Sequence, residues 1–331
     1  MLADQLLKAY ALSPPVIPFA LPAVGINNIV RGLHTGNGDL VLKTYTANLD
    51  VRTIRAEHHL LHWLQTQRLS FAVPVPLTTR SGDTIYPAPE GYHALFPRLA
   101  GHPPQPDNLQ HMEAVGSALG ELHRTLEAYT APSAHMPSSY GELNQVHPQV
   151  AQPAELTPEH LGLRGTRAEH EVCQWWRDQV LCMHEFLAIT YPALPHQFIH
   201  GDFAPSNTLI ADGVITAILD FEFATYDVRA IDVAAGLKFS MRTWEHDEPW
   251  PVGAALCSGY KEWIQLTDAE VQNLPELLRL RDMVAAIWWL GRTIAAGQTP
   301  NLERIRDVQV LTGWVEDHAE RIQTMLMHGR I

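Results

Sequence analysis

Asp212-Gly213 separates two short apolar runs, Asn207-Thr208-Leu209-Ile210 and Val214-Ile215-Thr216-Ala217-Ile218-Leu219. An Asp-Gly pair in that setting is the strongest short-range hairpin signal, because the favoured two-residue turn needs positive φ at both positions. Such a turn sends the chain back on itself. It therefore brings Asn207, at the start of the first run, beside Asp220, just past the end of the second. A carboxylate directly after Ile218-Leu219 is a costly neighbour for a core unless it has a partner. Immediately upstream lies His200-Gly201-Asp202-Phe203-Ala204-Pro205-Ser206-Asn207, in which Asp202 and Asn207 are five residues apart.

The rest of the chain supplies enough material to bury such a site. It has 331 residues, 46% hydrophobic and 18% charged, which suits two packed lobes and is too apolar for disorder. A net charge of −13 with no Lys/Arg cluster excludes a nucleic-acid partner, because a phosphate backbone rewards clustered cations. Cys173, Cys182 and Cys257 form no CxxC pair, so neither a disulfide framework nor a thiolate zinc site is expected. The 18 histidines do not make a metal site either: His58 and His59 are adjacent on a predicted helix and cannot share a face. No apolar run approaches the roughly 20 residues that span a bilayer. The expectation is a cytoplasmic protein with no membrane partner, and nothing in the pattern speaks to its oligomeric state.

Residues 24–46 alternate β-type runs with Gly and Asn, predicting a hairpin that turns at Gly36-Asn37-Gly38-Asp39 and ends in Lys43. From Asp50 to Leu69 the period becomes helical; Val51, Ile54, Leu61 and Leu64 form one stripe, and Glu57 falls on it. A carboxylate there requires a partner. Tyr92 to Gly101 predicts a last strand running into a linker, with a domain boundary near residue 98. Helices are predicted over 107–126, 168–188, 231–241, 251–264, 268–297 and 301–327. Residues 127–162 are rich in Pro, Ser, His and Ala without periodicity, and are predicted to form a long connection.

Phosphoryl transfer needs hard-oxygen metal ligands, a cation on the phosphates and a group to take the attacking hydroxyl's proton. The spacing His200-x-Asp202-x-x-x-x-Asn207 matches the loop with which kinases place a catalytic Asp and a metal-binding amide, with Gly201 where protein kinases carry Arg. One of only four lysines, Lys43, precedes Glu57 in the order of a phosphate-anchoring pair. These residues, with Leu219-Asp220-Phe221-Glu222, resemble the aminoglycoside phosphotransferase and choline kinase superfamily. Gly25-Ile26-Asn27-Asn28, the run from Ile218 to Ala224, and Asp232-Val233-Ala234 are similar to the bacterial type II homoserine kinase branch.

The resemblance implies an α+β, bilobal, protein-kinase-like fold: a small β-rich nucleotide lobe over 1–98 and a larger, mainly helical catalytic lobe over 99–331. It implies ATP and Mg²⁺ as cofactors and a small-molecule hydroxyl as substrate. Asp202 is then the catalytic base, Asn207 and Asp220 the metal ligands, and Lys43 with Glu57 the phosphate anchor. His200 and Asp232 buttress the loop. Ala94 to Leu99, with Phe96 and Arg98, forms the hinge beside the adenine. No G-x-G-x-x-G loop precedes Lys43, which leaves Gly25, Asn27 and Asn28 to cover the phosphates and leaves GTP open as the nucleotide.

Other residues admit two readings. Arg292 and Arg229 suit a substrate carboxylate or a surface salt bridge. Glu222, Asp227, Glu245, Asp247 and Glu248 suit a cationic substrate or an acidic surface, and Glu222 could also serve the metal. His200 and His123 fit structural roles better than proton carriage, and Trp175-Trp176 and Trp288-Trp289 fit helix packing. A protein Ser/Thr kinase and a nucleotide-binding regulator with little turnover remain alternatives. The presence of Lys43, Glu57, Asp202, Asn207 and Asp220 together counts against the regulator, since loss of one of them is the usual mark of an inactive kinase.

Overall fold

A computed structural model of the protein describes residues 2–21, 28–46, 50–89, 91–131, 136–241 and 249–328. Along the chain run α1 (Leu2–Tyr10), β1 (Val16–Phe19), β2 (Ile29–Thr35), β3 (Gly38–Tyr45), α2 (Val51–Gln65), β4 (Tyr86–Ala88), β5 (Gly91–Pro97) and α3 (Leu109–Leu126). There follow α4 (Arg167–Ile189), β6 (His196–Ile199), β7 (Thr208–Ala211), β8 (Val214–Ile218) and β9 (Thr225–Val228). The chain ends in α5 (Ala230–Met241), α6 (Trp250–Lys261), α7 (Asp268–Ala295) and α8 (Glu303–His328). Packing divides it into two units: residues 1–105, 127–137 and 205–224, and residues 106–126, 138–204 and 225–331.

The first unit is built on a five-stranded antiparallel sheet in the order β1-β2-β3-β5-β4. Alternation along β3 sends Leu40 and Leu42 into a core with Leu6, Tyr10, Leu33 and Leu95, which turns Lys43 to the other face. The strand does not end at the lysine, as expected, but runs on to Tyr45. Asp50 caps α2, its carboxylate accepting from the Arg52 N–H at 2.9 Å. The β7–β8 hairpin forms as its sequence predicts, with Asp212 at φ 51° and Gly213 at φ 77°. It belongs to this unit by backbone pairing: Ala72 N–H donates to the Thr216 carbonyl at 2.9 Å, and His102 and Ile210 exchange bonds at 2.8 and 3.1 Å.

The second unit is mainly helical. Helices are observed at all six predicted places, but the sequence did not disclose β6 and β9, whose antiparallel pairing carries the chain into the 200–207 loop. The 138–155 stretch holds three short 3₁₀ turns. Its core contains a close crossing of α3 and α6. A Cβ on Gly116 would lie 1.9 Å from the Leu256 carbonyl oxygen, and one on Gly259 would lie 1.9 Å from that of Glu113. Neither obstacle is the flexible end of a side chain, so the helices must separate to admit a methyl group. Gly116→Ala and Gly259→Ala are each expected to destabilise the protein by about 3 kcal/mol or more, read as a lowered midpoint in urea unfolding. Among the described residues no helix is long and apolar enough to cross a membrane.

Candidate active site

In the first unit, the buried Lys43 ammonium lies 3.3 Å from Glu57 Oε1, 3.1 Å from Asp220 Oδ1 and 3.1 Å from Glu222 Oε2. The stripe of α2 explains Glu57: it shares a face with Ile54, Leu61 and Leu64, all buried. Its second oxygen accepts from the Tyr45 hydroxyl at 3.0 Å, which also contacts His58 Nε2 at 3.1 Å. His58 in turn meets Thr84 Oγ1, and burial and the nearby Lys43 charge push its titration down to about 3. The ring is therefore neutral.

One ammonium cannot satisfy three carboxylates. Burial raises the Glu57 carboxyl to about 7 against the attraction of Lys43, with Glu222 and Asp220 adding to the rise. Burial also opposes charge on Lys43, but Glu57, Tyr45, Asp220 and Glu222 together outweigh it and hold the ammonium well above its usual range. Between about pH 4.5 and 7 folded Glu57 keeps a proton that the unfolded chain has released. Its contribution to stability is thus complete below about 4.5 and lost as pH rises through about 7. Glu57→Gln is expected to remove that component, flattening the fall in urea midpoint across this window. An unchanged slope would show that another group carries it.

Asp220 follows β8 with φ 64° and ψ 63°, a left-handed conformation that a non-glycine residue holds at a cost. Leu219 N–H donates to the Asn207 carbonyl at 2.8 Å, so the base of the hairpin sets Asn207 and Asp220 side by side. Asp220 keeps 38% of its side chain exposed while Lys43 is nearly covered. Three carboxylates against one ammonium leave a formal charge of −2. Of these, the part-exposed Asp220 carboxylate, with Asn207 beside it in the chain pairing, offers oxygen donors of the hard type that a divalent cation takes. Among the described residues no group of three Asp, Glu, His or Cys side chains could hold a metal ion by itself.

Asn28 is buried, its amide donating to Glu222 and accepting from Thr46 N–H at 3.2 Å. It thus ties the start of β2 to the Asp220 turn. Gly25, Asn27, Glu245, Asp247 and Glu248 lie outside the described residues. In the hinge segment Phe96 is buried edge-on to His58, and Arg98 pairs with Asp39 at 3.1 Å over the Phe19 ring. The Leu95 carbonyl and Arg98 N–H are already bonded, to Leu77 N–H and the Asp39 carbonyl.

In the second unit, Asp232, buried in the first turn of α5, accepts from His200 N–H at 2.7 Å and Gly201 N–H at 2.9 Å. It also meets His123 Nε2 at 3.0 Å. A carboxylate only accepts, so His123 carries a proton on Nε2, and its Nδ1 meets the Tyr260 hydroxyl, also at 3.0 Å. The His200 ring accepts from Asp202 N–H at 3.3 Å. Gly201 stands at φ 82°, which accounts for glycine in place of the arginine of protein kinases. Its carbonyl accepts from the buried Tyr140 hydroxyl at 2.5 Å.

These bonds present Asp202, whose side chain is 34% exposed and whose Oδ1 accepts from Arg281 Nη2 at 3.1 Å. Neither Tyr140 nor Arg281 emerged from the sequence. Tyr140 falls in the stretch without periodicity, and Arg281 lies in a helix where adjacent charges, Arg281-Asp282, would ordinarily face solvent.

Two candidate substrate residues serve the fold. Asp227 is buried and accepts from the Tyr191 hydroxyl, from Tyr140 N–H and, through its own side chain, from Val228 N–H at 2.7 Å. Burial raises its carboxyl despite those donors. Arg229 forks onto buried Glu270 at 2.7 and 2.8 Å. Arg292 lies over the rings of Trp288 and Trp289 at 5.9 and 5.6 Å. Trp176 is buried with its indole N–H on the Pro153 carbonyl, as packing requires.

The chain is 27% identical over 262 residues to a homoserine kinase from Rhizobium johnstonii, covering 78% of this chain and 75% of that one. Among solved structures it is similar to a microcompartment-associated aminopropanol kinase, with a TM-score of 0.69 at 18% identity over 99% of both chains. It is equally similar to the amicoumacin kinase hAmiN in complex with AMP-PNP and Ca²⁺, with a TM-score of 0.69 at 16% identity over 96% of this chain and 92% of that one. These likenesses give the kinase-like α+β fold. Residues 21–271, the greater part of the sequence, match the phosphotransferase enzyme family APH, and the chain belongs to that family.

Proposed function

We propose that this phosphotransferase moves the γ-phosphoryl group of ATP to the hydroxyl of a small molecule bearing an amino group: a homoserine-like amino alcohol or an amino sugar. The observation that carries the reading is the buried Lys43 ammonium held between Glu57 and the αL-strained Asp220, a cation beside a part-exposed carboxylate. The similarity to homoserine and aminopropanol kinases supports the acceptor class, and the AMP-PNP of the amicoumacin kinase complex supports adenine.

In this reading residues 1–98 bind the nucleotide, with the remaining backbone groups of Ala94 to Leu99 at its base, and residues 99–331 supply the acceptor site. The compartment is the cytoplasm. Asn207 and Asp220 would hold Mg²⁺, which when bound would supply positive charge to the phosphates. Lys43 neutralises further charge on the phosphates. Asp202 orients the acceptor hydroxyl and takes its proton as the new O–P bond forms and the β–γ bridge breaks, releasing ADP.

Purified protein with Mg-ATP or Mg-GTP and a panel of homoserine, aminopropanol, choline, aminoglycosides and casein tests the assignment. ADP formation dependent on a small amino alcohol or amino sugar is expected. Transfer to casein alone would replace this reading with a protein kinase, and tight nucleotide binding with no acceptor would replace it with a nucleotide-binding regulator.

A further inference from the structure

Behind Asp202 runs a chain of charge that phosphate binding does not require. Arg281, on α7, has a side chain only 8% exposed. Its Nη2 donates to Asp202 Oδ1 at 3.1 Å and its Nη1 to Asp282 Oδ1 at 3.4 Å. Asp282 Oδ1 also takes the ammonium of Lys238, from α5. The ring of Phe239, next to Lys238 on α5, lies 4.4 Å from the guanidinium carbon and covers it. Among the described residues Arg281 Nε has no hydrogen-bond partner. The four groups balance, with Lys238 and Arg281 positive and Asp282 and Asp202 negative.

Burying this set costs desolvation that an apolar contact would avoid, so it is a poor device for stability alone. A buried donor left unused by the fold adds to that cost. What the arrangement does provide is direction. A guanidinium fixed from behind by Asp282 and from one face by Phe239 can hold one oxygen of Asp202 in a single place, while the carboxylate remains one-third open.

We propose that Arg281, anchored through Asp282 by Lys238, is a positioning residue for Asp202, fixing the carboxylate in the orientation in which it meets the acceptor hydroxyl. The inference rests on the reading of Asp202 as the proton acceptor. It differs from a role in binding the acceptor, because Arg281 touches the base, and Lys238 is separated from it by Asp282 and Arg281.

The test is single-turnover phosphoryl transfer on nucleotide-saturated enzyme, with L-homoserine or the fastest acceptor of the panel as probe, in Arg281→Met, Arg281→Lys, Lys238→Met and the double methionine variant. Misplacing a catalytic group by about an ångström costs on the order of 100-fold in rate. Arg281→Met is expected to lose about that much, Arg281→Lys less, and Lys238→Met about 10-fold, all with the KM of acceptor and nucleotide within about 3-fold of wild type. The double variant should be no slower than Arg281→Met, since Lys238 acts through Arg281.

A lowered melting temperature with an unchanged rate per folded enzyme would reduce the chain to structure and overturn the proposal. A raised acceptor KM with unchanged rate would make Arg281 an acceptor-binding group and overturn it equally. Should Arg281→Met fail to fold, Lys238→Met carries the same comparison. Asp202→Asn separates the two levels: if that variant is active, the assignment of the base has failed; if it is inactive and the Arg281 and Lys238 variants are not, only the positioning role has.

Discussion

Asp202→Asn is expected to lower the rate of phosphoryl transfer by about 10²–10⁴-fold, the range supplied by a general base, with nucleotide affinity unchanged. The substitution removes the charge and the proton-accepting oxygen while keeping the shape. The amide oxygen can still accept from Arg281 Nη2, and the loop itself is held elsewhere, by His200 and Gly201 N–H on Asp232. The carboxylates around Lys43 belong to a different packed unit, so the determinants proposed for nucleotide binding stay intact. ADP release under saturating substrate, beside calorimetric titration with Mg-ATP, measures both halves. Full turnover in the variant would sink the mechanism, and lost nucleotide binding would show that Asp202 serves the phosphates.

How much of this was legible in the sequence depended on the distance over which each signal acts. Asp212-Gly213 dictates its own turn, so the adjacency of Asn207 and Asp220 followed from a dozen consecutive residues. Glu57 was legible because a carboxylate on a buried helical stripe must have a partner, and Lys43 with Tyr45 provides it.

Other partners lay beyond that range. Arg281 is 79 residues from Asp202, and Tyr140 is 61 from the Gly201 carbonyl it supports. Strands β6 and β9, four residues each, are too short for periodicity to mark, and pairing across the intervening 200–207 loop and hairpin alone makes them strands. Charge sign misled in the opposite way: Asp227 and Arg229 look like surface groups by composition, yet one is sealed by Tyr191 and Tyr140 and the other neutralises buried Glu270. A polar residue's type says that it needs a partner; only the fold says whether the partner is protein or ligand.

Asp220→Asn is expected to separate stability from activity most sharply, by moving them in opposite directions. Asparagine tolerates the left-handed conformation at φ 64° at least as well as aspartate, so the turn after β8 should persist. Asp220→Ala lacks the local hydrogen bonding that lets those residues adopt it, and should cost about 1–2 kcal/mol more. Electrostatically the amide relieves the site: Lys43 keeps Glu57 at 3.3 Å and Glu222 at 3.1 Å, and the formal charge falls from −2 to −1. The melting temperature should therefore be equal to or above that of wild type. Turnover, by contrast, should fall by about 100-fold or more, the scale on which preorganised charge stabilises transferring phosphoryl groups, with saturation at higher Mg²⁺. Thermal melts beside turnover across a Mg²⁺ series test both signs. Retained turnover at the wild-type Mg²⁺ requirement would remove Asp220 from the metal site. A destabilised variant would mean that its carboxylate belongs to the fold, held by Lys43 for structure and not for the nucleotide.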